Sequence, residues 1–148
     1  MSIIYLDTSA LLKLYIQEAH SAEVNTLLKV ATAAGTSILT YTEMAAAMAR
    51  AVRMRLIQDG AARKVWNNFL GDWPGFTRLK LPVALTERGA ALAWEFGLRG
   101  YDAVHLAAVM SWRDALGEPV ILATFDRLLW SAGQKASMAT WPEALASR

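Results

Sequence analysis

Four of the thirteen acidic residues in this chain stand where their side chains could do chemistry together. Asp7 closes an apolar run in Leu6-Asp7-Thr8-Ser9, and Asp126 follows another in Thr124-Phe125-Asp126. Glu43 falls in the first turn of an Ala- and Met-rich helical segment. Asp102 opens the apolar stretch Ala103-Val104-His105-Leu106-Ala107-Ala108. Taken singly, each has a plain structural explanation. Asp7, Asp102 and Asp126 are suited to cap helices, accepting a backbone N–H and complementing the helix dipole. Thr40 with Glu43 fits a capping box. Taken together they allow a second reading. Four carboxylates gathered in one cleft repel unless protonated or neutralised, and a hard divalent cation with oxygen ligands, Mg2+ or Mn2+, is the natural neutraliser.

What is missing narrows the chemistry further. The chain has no cysteine, which excludes a thiolate nucleophile, a disulfide framework and thiolate zinc sites. It has no Gly-rich phosphate loop. Its two histidines, His20 and His105, are too few and too far apart to predict a His-based metal site. His105 lies one helical turn after Asp102, which allows a supporting role, although a half-buried structural histidine is the simpler reading. With no evident protein base, a metal is expected to activate a bound water for in-line attack on a phosphodiester. Metal-assisted phosphodiester hydrolysis is therefore the expected reaction.

Elements must bring these acids together. Strands are predicted over Ser2–Leu6 and over residues 36–39, 76–81, 119–123 and 136–140, the third at a sheet edge because Pro82 follows it. Helices are predicted over residues 8–17, 21–34, 41–56, 60–71, 84–96, 103–115 and 127–131. Ser21 is read as the N-cap of the second helix and Gly35 as its end, with a Trp73-Pro74-Gly75 turn closing the fourth. Strands alternating with helices predict an α/β fold with a mostly parallel sheet covered on both faces. In such sheets ligands bind beyond the carboxyl ends of the strands, where Asp7 and Asp126 would stand.

Bulk properties set the outer bounds. At 148 residues, 55% apolar and 19% charged, the chain is sized for one folded domain spanning residues 1–148. The longest stretch without a charged residue, residues 30–42, falls well short of the ~20 apolar residues of a membrane span. The first six residues carry no basic group and Asp7 interrupts them too early for a signal peptide, so a soluble cytoplasmic protein is expected. A net charge of +2 permits a polyanionic partner without demanding one. Arg50, Arg53, Arg55, Arg63 and Lys64 cluster with only Asp59 against them, which fits either an ordinary solvated helix face or an RNA-guiding patch at Arg50, Arg53 and Arg55. The six tryptophans fall mostly within apolar helical patterns, which fits core and interface packing better than base stacking.

At these same residues the sequence resembles the PIN-domain family, specifically its VapC-type toxin ribonucleases. The matching segments are Tyr5-Leu6-Asp7-Thr8-Ser9-Ala10-Leu11-Leu12-Lys13-Leu14 and Tyr41-Thr42-Glu43-Met44, with Arg50 on the same helix. They continue with Leu98-Arg99-Gly100-Tyr101-Asp102-Ala103-Val104-His105-Leu106-Ala107 and Thr124-Phe125-Asp126-Arg127-Leu128-Leu129. The resemblance implies a three-layer α/β/α sandwich, Mg2+- or Mn2+-dependent endoribonuclease activity and a homodimer. It implies that Asp7 and Asp102 are the principal metal ligands, that Glu43 and Asp126 complete the pocket, and that Thr8, Ser9 and Thr124 orient carboxylates or waters. It also implies an antitoxin partner that fills the active-site groove, often with an Arg or Lys directed at the acids. The three hydroxyls fit helix-start and turn positions equally well. Two other enzyme classes put an Asp after the first strand. An aspartate-based phosphatase would want a second Asp where Ser9 stands, and a phosphoacceptor domain would want an acidic neighbour that Asp7 lacks. A catalytically silent binding module with the same fold is the remaining alternative.

Overall fold

A computed structural model describes residues 2–145; Met1 and residues 146–148, the extreme ends of the expected domain, lie outside the described residues. The chain lays down β1 (Ser2–Leu6), α1 (Thr8–Leu12), α2 (Ser21–Lys29), β2 (Ala31–Ser37), α3 (Leu39–Arg53) and α4 (Asp59–Asp72). A short 3-10 turn at Trp73–Gly75 leads to β3 (Thr77–Leu79), α5 (Val83–Phe96), α6 (Gly100–Leu116), β4 (Val120–Ala123), α7 (Arg127–Lys135) and β5 (Ala139–Trp141). Every strand pair is parallel, in the order β3-β2-β1-β4-β5, with helices on both faces. The expected α/β sandwich is the fold observed.

Alternating strand residues feed two cores, as a period of two requires. Tyr5 and Leu122 point to the side covered by α5, α6 and α7, where they meet Leu92, Leu106, Val109 and Leu129. Ile4, Leu6 and Ala123 point to the other side and pack with Leu11, Val24, Met44 and Phe69 from α1 to α4. The strand order reverses between β1 and β4, because β2 and β3 build outward from one side of β1 while β4 and β5 build from the other. Reversals of this kind open a crevice at the carboxyl ends of the two strands.

Several element boundaries differ from the sequence expectation. Residues 31–34, expected as the end of a helix, form the first half of β2 and pair with β1 from Ser2↔Ala31 to Tyr5↔Gly35. Alanine favours helix by less than ~1 kcal/mol per residue, and a paired strand beneath packed side chains outweighs that. Gly35 sits within the strand rather than ending a helix, because the Trp112 ring lies against it: an added Cβ would come within 2.7 Å of that ring. Ser21 does not cap α2. His20 holds the cap position at φ 70°, while the Ser21 hydroxyl donates to the Ile16 carbonyl at 3.0 Å and accepts from the Glu18 N–H at 3.0 Å. The first helix stops at Leu12 instead of residue 17, where three-residue turns such as Leu14 N–H to the Leu11 carbonyl redirect the chain. The last helix runs on to Lys135, which displaces the final strand to Ala139–Trp141. The strand before Pro82 is at a sheet edge, as expected.

Gly35→Ala tests the close approach of Trp112. Overpacking of this kind costs about 1–3 kcal/mol, so urea unfolding of the variant should show a lowered midpoint with an unchanged slope. A midpoint equal to wild type would mean the ring is free to move away.

Candidate active site

The crevice between β1 and β4 is where the predicted acids arrive. Asp7 is the first residue past β1, and its N–H donates to the Ala123 carbonyl at 3.2 Å, which extends the strand pairing by one step. That step sets Asp7 beside Thr124, whose hydroxyl donates to Asp7 Oδ2 at 2.6 Å. Ser9 Oγ and the Ala10 N–H donate to Asp7 Oδ1 at 2.7 and 3.0 Å. Asp7 therefore caps α1 and takes part in the cluster as well. Asp126 likewise caps α7, with Oδ1 accepting from the Leu129 N–H at 3.0 Å while its own N–H donates to Thr124 Oγ1. Ser9 Oγ accepts the Phe125 N–H at 2.9 Å, tying the two strand ends together once more.

Asp102 is not a cap. It lies inside the first turn of α6, where Arg99 occupies the cap position. The Arg99 guanidinium bridges two acids, with Nε 2.9 Å from Asp102 Oδ2 and a terminal nitrogen 2.6 Å from Asp126 Oδ2. Glu43 forms no capping box with Thr40 either. The Thr40 hydroxyl instead meets Thr36 Oγ1 at 2.7 Å, and Glu43 Oε1 receives the Thr8 hydroxyl at 2.8 Å and faces His105 Nε2 at 2.6 Å. His105 is fully buried rather than half-buried, between Tyr5 and Glu43. Thr8, Ser9 and Thr124 each bond directly to one of the acids.

Crowding shows in the ionisation of the cluster. Burial pushes the Asp7 carboxyl up, against His105 and three hydrogen-bond donors that pull it down. Burial and the neighbouring Asp126 carboxylate push Asp102 up to about 6, opposed by Arg99. Glu43 also feels burial, but the His105 and Thr8 contacts hold it below the ordinary value. Two like charges 4 Å apart interact by about 4 kcal/mol at an effective dielectric near 20, and a single guanidinium cannot offset four carboxyl groups. The donor set is all hard oxygen, and among the described residues two of these oxygens, Asp102 Oδ1 and Glu43 Oε2, accept no hydrogen bond. Among the described residues no three His, Asp or Glu side chains close into a ready-made metal cage. By donor chemistry alone, the carboxylates of Asp7 and Asp102 are of the kind Mg2+ takes, one or two with water on its other positions.

The basic cluster divides. Arg50 lines the groove that also holds Thr8, Ser9, Glu43 and Tyr101, whereas Arg53 lines a separate hollow between α3 and α4 and Arg55 a third beside Gln58. Arg99 carried no assigned role in the sequence, and His105 only an open supporting one beside Asp102, not Glu43. Arg99 could have been found from its i,i+3 spacing to Asp102 at a helix start. The bond from His105 to Glu43 spans 62 positions and has no local signal. Of the tryptophans, Trp66 and Trp73 join an aromatic cluster with Tyr41 and Phe69, while Trp94 is 91% exposed.

The PIN domain profile matches residues 4–129, which takes in all four acids. The chain belongs to the PIN-domain family. Within the family it is 32% identical over 149 residues to Ribonuclease VapC45 of Mycobacterium tuberculosis strain CDC 1551 / Oshkosh, covering 98% of this chain and 99% of that protein. Ribonuclease VapC49 of strain ATCC 25618 / H37Rv matches to the same extent. Two solved structures share the PIN fold: PAE2754 from Pyrobaculum aerophilum (TM-score 0.64, 23% identity, 94% of this chain and 83% of that one) and VapBC2 from Rickettsia felis bound to a promoter DNA fragment (TM-score 0.61, 11% identity, 93% and 97%). At these identities they speak to the fold alone.

The raised Asp102 value gives this PIN domain a pH signature in chelator-treated protein. A carboxyl that binds its proton more tightly folded than unfolded stabilises the fold at low pH, and that contribution is lost as pH rises through about 6. Asp102→Asn should therefore be more stable than wild type at pH 7, with the advantage shrinking toward pH 4. Urea midpoints of both proteins across that range check it, and a difference that does not vary with pH would contradict it.

Proposed function

We propose that this chain is a metal-dependent endoribonuclease that hydrolyses RNA phosphodiester bonds, the toxin of a toxin–antitoxin pair. The observation that carries the reading is the meeting of Asp7, Glu43, Asp102 and Asp126 around one crevice, linked by Thr8, Thr124, Arg99 and His105. Two PIN-family relatives, similar along nearly their whole length, are named ribonucleases, which supports the same chemistry here.

Asp7 and Asp102 would hold Mg2+ or Mn2+, with Glu43 and Asp126 beside them directly or through water. A bound divalent cation supplies a water of lowered pKa and offsets charge gathering on the scissile phosphate. The protein's own residues do the positioning. Ser9, Thr124 and the Ala10 N–H fix both oxygens of Asp7, and Thr8 fixes Glu43. Arg99 pairs with Asp102 and Asp126 but is half exposed, so it can release them and turn toward a phosphate. The aspartate-based phosphatase reading is disfavoured because Ser9 stands where the second Asp would be, and it donates to Asp7 Oδ1 instead.

The groove beside the acids has an apolar floor of Ala46, Ala47, Ala51 and Met54 with Arg50 at its side. An antitoxin segment would fill it and present a cation to the acids, and RNA would enter by the same route. Among the described residues no helix is long and apolar enough to cross a membrane. A cytoplasmic homodimer of single-domain chains, spanning residues 1–148, completes the reading.

Purified chain free of any partner should cleave RNA with Mg2+ or Mn2+ and stop when the metal is chelated. Asp7→Asn or Asp102→Asn should lower cleavage at least about 100-fold with the far-UV circular dichroism preserved. Cleavage that survives both substitutions would move the site elsewhere. In an Asp7→Asn background, Arg50→Glu should weaken RNA binding and lower the salt slope by about one. Arg53→Glu and Arg55→Glu, which line other hollows, should do so less. Equal effects from all three would assign the cluster a diffuse electrostatic role.

A further inference from the structure

His105 lies at the centre of a directed chain of hydrogen bonds that ends on Glu43. The Glu43 carboxylate can only accept, so the ring nitrogen that faces it, Nε2, carries a proton. The other ring nitrogen, Nδ1, lies 2.7 Å from the buried Tyr5 hydroxyl, which can donate to it. A neutral imidazole that accepts at Nδ1 carries its proton on Nε2. Nε2–H then donates to Glu43 Oε1 at 2.6 Å, where Thr8 Oγ1 also donates at 2.8 Å. Both donors grip the same oxygen. Among the described residues Oε2 accepts no hydrogen bond, and Glu43 lines the open groove.

We propose that His105 is a positioning residue for Glu43, held by Tyr5 in its Nε2–H tautomer so that Oε1 is anchored and Oε2 is presented to the cation. The proposal rests on the nuclease reading above. A carboxylate gripped twice on one oxygen is restrained about its last bond, so its free oxygen favours one direction without help from the cation. A histidine buried only for packing would need neither a fixed tautomer nor a carboxylate partner at the mouth of a groove. Tyr5 and His105 are among the largest fully buried side chains, and no buried side-chain polar atom among the described residues lacks a partner. The groups that hold Glu43 Oε1 are thus fixed by packing on the His105 side.

The test uses the whole chain. Long-range 1H–15N spectra of histidine-labelled protein at pH 7 should show His105 protonated on Nε2 and bare on Nδ1; a proton on Nδ1, alone or together with one on Nε2, overturns the proposal. Mn2+ affinity is then compared for wild type, His105→Gln, His105→Asn and Tyr5→Phe. Glutamine puts an amide nitrogen where Nε2 stood, and asparagine puts one where Nδ1 stood. His105→Gln should bind Mn2+ within about threefold of wild type, whereas His105→Asn and Tyr5→Phe should bind about tenfold or more weakly. Equal losses in the Gln and Asn variants, or unchanged affinity in Tyr5→Phe, would reduce His105 to packing. Tyr5→Phe keeps the ring and removes one hydroxyl, so it decides the matter should a His105 variant fail to fold. Wild type that neither binds Mn2+ nor cuts RNA would overturn the nuclease reading instead, and the spectra would still report the tautomer.

Discussion

The parallel pairing of β1 with β4 is the constraint on which the rest of the molecule depends. It matches Leu6 with Ala123, so the next residues, Asp7 and Thr124, meet one step past the sheet and exchange a 2.6 Å hydrogen bond. A slip of one residue in either strand would turn every side chain to the opposite face. Tyr5 would leave the core that holds His105, and Asp7 would leave the crevice. The large apolar side chains at Ile4, Leu6 and Leu122, all fully buried, make such a slip costly at about 1.5–3 kcal/mol for each one exposed. The register that builds the core is therefore the register that builds the site.

A cluster of carboxyl groups works against the fold that carries it. Asp7 and Asp102 are both nearly shielded from water, and burial pushes both carboxyls up. The surrounding chain meets this in three ways. Two hydroxyls and one helix-start N–H donate to Asp7, a guanidinium spans Asp102 and Asp126, and a histidine and a threonine share Glu43. Two oxygens are left without a hydrogen-bond donor among the described residues, Asp102 Oδ1 and Glu43 Oε2, and Glu43 lines the groove.

What the sequence disclosed and what it hid follow from the range of the interactions involved. Asp7 and Asp126 were legible because each follows an apolar run directly and each also caps the helix after it, which is local chemistry. Residues 31–34 read as helix because three of the four are alanines, with no local sign that they would pair with β1. The apparent capping box at Thr40 and Glu43 had the right spacing, but both side chains found partners on other elements: Thr36 for one, Thr8 and His105 for the other. Gly35 looked like a helix stop until Trp112, seventy-seven positions later, took the space over its Cα. Except for Thr36, four positions from Thr40, the deciding neighbours lay far along the chain.

The two rims of the sheet differ from its centre. β3 and β5 are three residues long, Pro82 lies just beyond one and Pro142 directly follows the other. So short a border exposes few unpaired backbone groups, too few to recruit a foreign strand. The fold therefore resists edge-to-edge self-association and fibril-like stacking even when it accumulates. Contacts with other proteins are left to the helical faces and the groove.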